Sequence, residues 1–200
     1  MNSIGILAYG SLICDPGKEI SPLIVRRIPT LTPFPVEFVR LSKTHVGAPT
    51  VAPHSSGNSV KAEVLILADC VSVNEAKNLL WRRETRREGS GRKYYESSAP
   101  NAIIIRDKPG FCEVNHVLYT DFNSSGKVSD PDPRSLARAA ISSVATAAPG
   151  KDGISYLLDL INAGVETALT PRYKEEILAL TGTTSLVEAL DSLRTTIGKA

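Results

Sequence analysis

The sequence is poor in cysteine, which limits the ways in which the chain can be cross-linked. Three cysteines, Cys14, Cys70 and Cys112, occur among the 200 residues. Their number is odd, they lie far apart, and none has a CxxC spacing, so the sequence indicates neither a disulfide framework nor a zinc site. This pattern is typical of a protein from a reducing compartment.

The sequence also lacks a large charge excess and a long apolar run. Its formal net charge is only +2, which gives no general reason to expect a nucleic-acid or membrane partner. The opening "MNSIGILAYG" has neither the basic n-region nor the long apolar core of a signal peptide, and no apolar run approaches the length of a membrane span. We therefore expect a cytoplasmic protein.

The composition is that of a globular protein with both helices and strands. Hydrophobic residues make up 42% of the chain and charged residues 22%, which favours a packed core over disorder. We predict a single α+β domain over residues 1–200, built as a small mixed β-barrel or sheet with flanking helices and a C-terminal helical segment. Its β-rich core spans about 1–122 and its helical part about 132–200.

Strand patterns dominate the first part of the chain and helix patterns the second. Alternating or β-branched residues predict strands at 4–9, 34–41, 60–67, 101–107 and 112–121. The turn sequence "DKPG" at 107–110 predicts that the last two strands form an antiparallel hairpin. Apolar residues at helical spacing, with Ser72 and Thr170 as N-caps, predict helices at 73–88, 133–148, 154–164, 171–180 and 186–197.

The first candidate for a functional site is the segment "AYGSL" at 8–12, where the first strand ends. Gly10 tolerates a positive φ directly after the strand, and Ser11 and Leu12 then present amide N–H groups outside the strand ladder. Such a turn suits an anion or a developing oxyanion. The same turn is also a common structural element, so both interpretations stay open at this point.

The second candidate is Glu84, at the end of the first predicted helix. Glu84 continues the apolar stripe of Val73 and Leu80 at helical spacing, so the periodicity directs its carboxylate inward. A dehydrated carboxylate is costly unless it is paired or used, and it suits a general base. The alternative is a glutamate at the helix end that pairs with Arg83 or Arg87.

Two further segments carry charged or metal-binding residue types. The segment "RRETRREGSGRK" at 82–93 has six basic and two acidic residues, which suits a carboxylate substrate or a phosphate backbone but also a solvated helix end. It has no P-loop spacing. His45 and His54 lie in a segment rich in glycine and proline without a nearby cysteine or carboxylate. We expect a loop there rather than a metal site.

Four segments together resemble the γ-glutamylcyclotransferase superfamily, and within it the ChaC-type branch that acts on glutathione. "AYGSL" at 8–12 is similar to the substrate-binding motif of that family, and "SKTHVGAPTVAP" at 42–53 is similar to its Ser-x-x-His-x-Gly-x-Pro loop. "LLWRRE" at 79–84 resembles its Leu-x-x-Arg-Glu helix end. "GKDGISYLLDLINAGVETALT" at 150–170 resembles the C-terminal helical segment of ChaC-type proteins. The four segments occur in the family's order.

The resemblance implies a fold in which the YGSL-type loop and one glutamate face a shared cavity. By position, Tyr9, Gly10, Ser11 and Leu12 would bind the γ-glutamyl group, and Glu84 would be the catalytic acid and base. The implied reaction closes a γ-glutamyl amide, with glutathione as the first candidate, to 5-oxoproline and releases the amine or peptide. No metal or organic cofactor is implied, and the only implied partner is this small-molecule substrate.

The resemblance is incomplete at two places. The family's Glu-x-Gly-Gly-Tyr continuation is replaced by "ETRREGSGRKYY" at 84–95, and Val46 stands where the loop of the family has an arginine. The alternative is therefore a non-catalytic small-molecule binding protein with the same YGSL-type pocket. Nucleic-acid binding through residues 82–93 is disfavoured, because no aromatic residues are interleaved with the basic ones. The sequence carries no signal for an oligomeric state.

Overall fold

The computed structural model describes residues 3–42, 46–99, 102–123 and 127–197. Internal contacts divide the chain into two compact units, each made of two segments. The first unit comprises Met1–Pro33 and Ser59–Gly126, and the second comprises Phe34–Asn58 and Lys127–Ala200. No helix within the described ranges is both long and apolar enough to cross a membrane.

The first unit is built on a five-stranded sheet. From edge to edge the strands are β2 (Ile24–Leu31), β5 (Lys61–Leu67), β1 (Ile4–Ala8), β7 (His116–Phe122) and β6 (Ile103–Asp107). Strands β1 and β7 are parallel, and the other neighbouring pairs are antiparallel. The central strand β1 is buried at every residue, which explains why its sequence is a continuous apolar run instead of an alternating one.

Helix α1 (Val73–Glu84) contacts strands β1, β6 and β7 of the same unit. Ser72 caps its first turn, since the Ser72 side chain accepts a hydrogen bond from the Glu75 N–H. The helix ends where the Thr85 hydroxyl donates to the Trp81 carbonyl at 2.7 Å and Arg86 adopts a φ of 54°. This ending fixes Glu84 as the last residue of the helix.

The antiparallel pairing of β2 with β5 continues beyond the last residues of both strands. The Thr32 N–H donates to the Val60 carbonyl at 2.9 Å, and the Val60 N–H donates to Thr32 Oγ1 at 3.1 Å. Residues 32 and 60 therefore lie side by side, although 27 residues of chain separate them in the sequence.

The second unit combines a β-hairpin with the helices of the C-terminal half. The hairpin pairs β3 (Val36–Ser42) with β4 (Ala48–Pro53). The helices are α2 (Pro133–Val144), α3 (Gly153–Ala163), α4 (Thr170–Thr181) and α5 (Leu186–Ile197). Helix α2 contacts the three other helices, and both α2 and α3 contact β4. Tyr173 of α4 meets Phe38 of β3 edge to face, with ring centroids 5.0 Å apart.

The Tyr173 hydroxyl is the basis of a stability prediction. Tyr173 is fully buried, and its hydroxyl has no hydrogen-bond partner among the described residues. Burial raises the pKa of Tyr173, and nearby Tyr156 and Asp152 raise it further. Since an unpaired buried hydroxyl is destabilising, we expect Tyr173→Phe to increase the free energy of unfolding by about 1 kcal/mol in urea titrations. A decrease of similar size would show that the hydroxyl is bonded.

Most of the predicted elements are confirmed. The fold is α+β with a sheet and flanking helices, and of the two sheet forms that the sequence left open, the described strands form the open sheet, with β2 and β6 at its edges. The antiparallel hairpin around "DKPG" is present as β6 and β7. The single-domain organisation stays a prediction, and the β3–β4 hairpin belongs to the unit that contains the C-terminal helices.

Several predictions of local structure were wrong. Helix α2 ends at Val144 and not at Ala148. Helix α1 ends at Glu84 and not at Glu88, because of the Thr85 and Arg86 conformations described above. Residues 48–53 form strand β4 and not a loop, and strand β2 was not predicted. Leu169, and not Thr170, is the N-cap of α4. The two strands were missed because both contain proline, which normally argues against a strand.

Candidate functional site

The turn after β1 explains the abrupt end of that strand. Tyr9 is still extended, with a φ of −139°, and Gly10 then adopts a φ of 84°, a conformation that favours glycine. Residues Gly10–Leu12 form a single 3-10 turn. The Ile13 N–H donates to the Gly10 carbonyl at 3.2 Å, and the Asp15 N–H donates to the Ser11 carbonyl at 2.9 Å. We call residues 9–15 the β1 turn.

The side chain of Tyr9 fixes the β1 turn to the sheet. Tyr9 is buried, and its hydroxyl donates to the Thr120 carbonyl of β7 at 2.5 Å. Because β7 is the parallel neighbour of β1, this bond ties the end of one strand to the next. The hydroxyl of Tyr9 thus contributes to the position of Gly10, Ser11 and Leu12.

Removing this hydroxyl tests whether its hydrogen bond to Thr120 stabilises the fold. We expect Tyr9→Phe to lower the free energy of unfolding by about 1 kcal/mol, since one buried hydrogen bond is lost. Urea titration monitored by circular dichroism measures the change. An unchanged stability together with weaker binding of a γ-glutamyl ligand would instead assign the hydroxyl to ligand contact.

Glu84 lies in the same unit as the β1 turn and is mostly shielded from solvent. Its side chain is 16% exposed, in agreement with the apolar stripe that it continues along α1. Helix α1 contacts β1, and both elements belong to the first unit. The structure therefore places Glu84 inward, at a helix terminus.

Arg83 is the residue that connects Glu84 with the β1 turn. Its guanidinium donates to the Asp15 carbonyl from Nε at 3.1 Å and from Nη2 at 2.7 Å. The same Nη2 lies 3.4 Å from Ser11 Oγ, and Nη1 lies 3.9 Å from Glu84 Oε1. One side chain thus touches both segments that the sequence analysis selected. Ser11 and Glu84 are brought together through it.

The segment that follows the β1 turn packs closely against the end of α1. A Cβ atom on Gly17 would lie 2.5 Å from Glu88 Oε1 and 2.8 Å from Arg83 Cδ, and the φ of Gly17 is 88°. Any other residue would therefore displace Arg83 or Glu88. Glycine at this position leaves room for the Arg83 side chain, which can then donate its hydrogen bonds to the Asp15 carbonyl.

A buried arginine holds the surroundings of the site together. Arg82 is only 7% exposed at its side chain and donates from Nε to Glu19 at 2.8 Å and from Nη2 to Glu75 at 2.9 Å. Its Nη1 donates to the Arg92 carbonyl at 3.0 Å. We call Arg82, Glu19 and Glu75 the Arg82 cluster. It joins the segment after the β1 turn, the start of α1 and the segment after α1.

Both carboxyl groups of the Arg82 cluster have a pKa below its usual value. Burial raises the pKa of Glu19, but hydrogen bonds from Arg82 and from the Gly89 N–H outweigh it, so the pKa lies below its usual value. A hydrogen bond from the Asn78 side chain lowers the pKa of Glu75. Burial raises this pKa by a smaller amount, and Arg82 lowers it further. Both groups are therefore held as carboxylates.

Sequence reasoning missed the Arg82 cluster. It treated residues 82–93 as one basic surface, whereas Arg82 and Arg83 are engaged with carboxylates and carbonyls inside the first unit. The remaining basic residues of the segment, Arg86, Arg87, Arg92 and Lys93, are exposed. The spacing of seven residues between Glu75 and Arg82, two helical turns, was the signal that could have indicated the pair.

The two histidines that the sequence singled out do not belong to the first unit. His54 belongs to the second unit, where its Nδ1 lies 2.7 Å from Ser56 Oγ. His45 lies outside the described residues. Among the residues that the structure describes, no group of three or more histidine, cysteine or acidic side chains is arranged to hold a metal ion.

Comparison with known proteins gives a structural similarity. The chain is similar to a yeast γ-glutamyl cyclotransferase specific to glutathione, known from a crystal structure, with a TM-score of 0.44 and 15% sequence identity over 98% of each chain. No protein-family model matches the sequence, and no curated protein matches it. At this identity and TM-score, function has to be inferred from the residues of the site.

Proposed function

We propose that this protein is a cytoplasmic γ-glutamylcyclotransferase of the ChaC type. It would convert a γ-glutamyl amide, glutathione first, to 5-oxoproline with release of the amine or peptide. The observation that carries the proposal is the position of Arg83, whose guanidinium lies 3.4 Å from Ser11 Oγ and 3.9 Å from Glu84 Oε1. This contact supports a site that includes both the YGSL-type turn and the inward glutamate.

The chemistry needs little more than positioning and one proton carrier. The α-amino group of the substrate is on the same chain as the γ-carbonyl carbon that it attacks, so ring closure is intramolecular and benefits from a high effective molarity. Glu84 takes a proton from the α-ammonium, and the amine nitrogen then bonds to the γ-carbonyl carbon. The bond from that carbon to the leaving nitrogen breaks as Glu84 returns that proton to it, and the ring nitrogen gives its second proton to the released amine, which leaves as an ammonium.

The β1 turn has the complementary role in this proposal. As the amine adds, the γ-carbonyl oxygen becomes an oxyanion, and the amide N–H groups of Gly10 and Ser11 are proposed as its hydrogen-bond donors, since the Leu12 N–H belongs to the 3-10 turn. Tyr9 contributes to the γ-glutamyl site by fixing the turn on Thr120. The steps consume no water, and they require no metal or organic cofactor.

Incubation with glutathione tests the proposal directly. The purified protein is expected to release 5-oxoproline and cysteinylglycine in equal amounts, which liquid chromatography with mass spectrometry measures. A panel of other γ-glutamyl amines then defines the leaving group. If none of the panel yields 5-oxoproline above a heat-inactivated sample, the protein is not a cyclotransferase.

A second candidate function follows from the charge beside Glu84. Glu84 Oε1 lies 3.9 Å from Nη1 of Arg83, which is the arginine pairing that the sequence left open as the alternative to a catalytic role. A protein that binds γ-glutamyl compounds without converting them is consistent with this pairing. Heat of binding in calorimetry, with no 5-oxoproline formed over the same panel, would favour this function.

A further inference from the structure

We infer that Arg83 and Glu84 together form a receptor for the zwitterionic headgroup of an α-amino acid. In this receptor the ammonium of the ligand meets Glu84, and its α-carboxylate meets the Nη1 edge of Arg83. The inference rests on the proposed function for the site and its reaction, and it adds what the site recognises. It assigns substrate specificity to Arg83, a residue that the ring-closure chemistry leaves without a role.

Arg83 is held in a fixed orientation. Two of its nitrogens, Nε and Nη2, are bonded to the Asp15 carbonyl, and the side chain is only 15% exposed. Among the described residues, Nη1 has no hydrogen-bond acceptor and lies 3.9 Å from Glu84 Oε1. The planar guanidinium therefore presents a preorganised pair of donors on its Nη1 side.

The separation of the two charges matches an amino acid headgroup. A closed arginine–carboxylate pair has nitrogen–oxygen distances near 2.8 Å, whereas Arg83 and Glu84 stay 3.9 Å apart as neighbours in the last helical turn. In an α-amino acid, one carbon joins the ammonium and the carboxylate, so the two charges lie side by side. Each charge of the ligand then faces the opposite charge of the protein.

The inference defines the class of substrate. Compounds with both a free α-ammonium and a free α-carboxylate fit the receptor, which includes γ-glutamyl amides in general. A 4-aminobutanoyl amide has the same chain and amine but lacks the α-carboxylate, so it retains the contact with Glu84 and loses the contact with Arg83. It can still undergo the same ring closure.

A pair of chromogenic substrates tests the role of Arg83. In γ-glutamyl-4-nitroanilide and 4-aminobutanoyl-4-nitroanilide, the substrate amine attacks the carbonyl carbon, the bond to the aniline nitrogen breaks, and that nitrogen takes up the proton. The products are 4-nitroaniline with 5-oxoproline or 2-pyrrolidinone. The wild type is expected to prefer the first substrate, and Arg83→Met is expected to lower the ratio of the two kcat/KM values by about 10- to 100-fold.

The ratio separates recognition from damage to the site. A disturbed β1 turn lowers the kcat/KM of both substrates and leaves their ratio unchanged, whereas a lost carboxylate contact lowers the ratio. Arg83→Lys keeps the positive charge and is expected to lower the ratio less than Arg83→Met does. A ratio that is unaffected by Arg83→Met overturns the inference.

A binding measurement keeps this inference distinct from the proposed reaction. Isothermal titration compares L-glutamine, which has both headgroup charges, with 4-aminobutanamide, which lacks the carboxylate. Tighter binding of L-glutamine by the wild type, lost in Arg83→Met, supports the receptor even if no substrate is turned over, in which case only the reaction is wrong. Equal affinity for the two ligands, or binding of neither, overturns the receptor.

Discussion

The Glu84→Gln variant is expected to lose about 10²- to 10⁴-fold in kcat for the ring closure of a γ-glutamyl amide. The glutamine side chain has nearly the shape of glutamate, but it cannot accept the proton of the α-ammonium or return it to the leaving nitrogen. The loss should therefore appear in kcat, with a smaller effect on the stability of the fold. Initial rates of 5-oxoproline release at saturating substrate measure it.

Glu88→Gln is the matched control for this prediction. Glu88 lies four residues further along the chain, and its Oε1 accepts from the Glu19 N–H at 3.3 Å, a contact that a glutamine oxygen preserves. We expect wild-type kcat for this variant. Glu84→Gln with wild-type kcat, or equal losses in both variants, would show that Glu84 is not the proton carrier.

The Arg82→Met variant is expected to lose about 3 kcal/mol of unfolding free energy, the lower end of the effect of breaking a buried ion pair. Methionine fills much of the space of the arginine stem but leaves the Glu19 carboxylate without its main partner. We choose the lower end because the side chains of Glu19 and Glu75 are 22% and 47% exposed, so water compensates part of the loss.

The Arg82 cluster also predicts how stability depends on pH. The pKa values of Glu19 and Glu75 lie below their usual value in the folded protein, so the unfolded chain binds protons first as the pH falls. Their contribution to stability is complete above about pH 4.3, the ordinary pKa of glutamate, and is lost as the pH falls through the lowered values. Arg82→Met is expected to reduce this acid dependence.

Urea titrations between pH 3 and pH 7 test both parts of the prediction for Arg82. Arg92→Met is the matched control, because Arg92 takes part in the cluster through its backbone carbonyl, which the substitution retains, and its side chain is exposed. We expect wild-type stability for that control. Equal losses in the two variants would contradict a specific role of the Arg82 guanidinium.

Local patterns were sufficient to predict those elements that have one strong signal. The continuous apolar run of β1, the Ser72 cap of α1 and the "DKPG" turn each appear in the structure. Strands β2 and β4 contain prolines, and each pairs with a single neighbour among the described strands. A proline is tolerated in such a strand when its missing N–H faces away from the neighbour, which a single sequence does not reveal.

The site was predictable only in part, for a similar reason. The helical spacing from Val73 to Glu84 was sufficient to predict the inward position of the carboxylate. The contacts of Arg83 with Asp15, and of Arg82 with Glu19, join segments more than sixty residues apart in the sequence. Side chains that serve long-range contacts look like any other charged residue until the partner segment is in place.

The hydrogen bonds between Thr32 and Val60 provide a place at which the two segments of the first unit can be joined by protein engineering. All proposed site residues lie in Met1–Pro33 and Ser59–Gly126. The chain between these two segments leaves and rejoins the first unit next to Thr32 and Val60, which are hydrogen-bonded neighbours. A two-residue type I′ turn such as Asn-Gly is the usual closure for antiparallel strands. Replacing residues 33–59 by that turn and ending the chain at residue 126 gives a contiguous chain with the β1 turn, Arg83 and Glu84, which tests whether the first unit folds on its own.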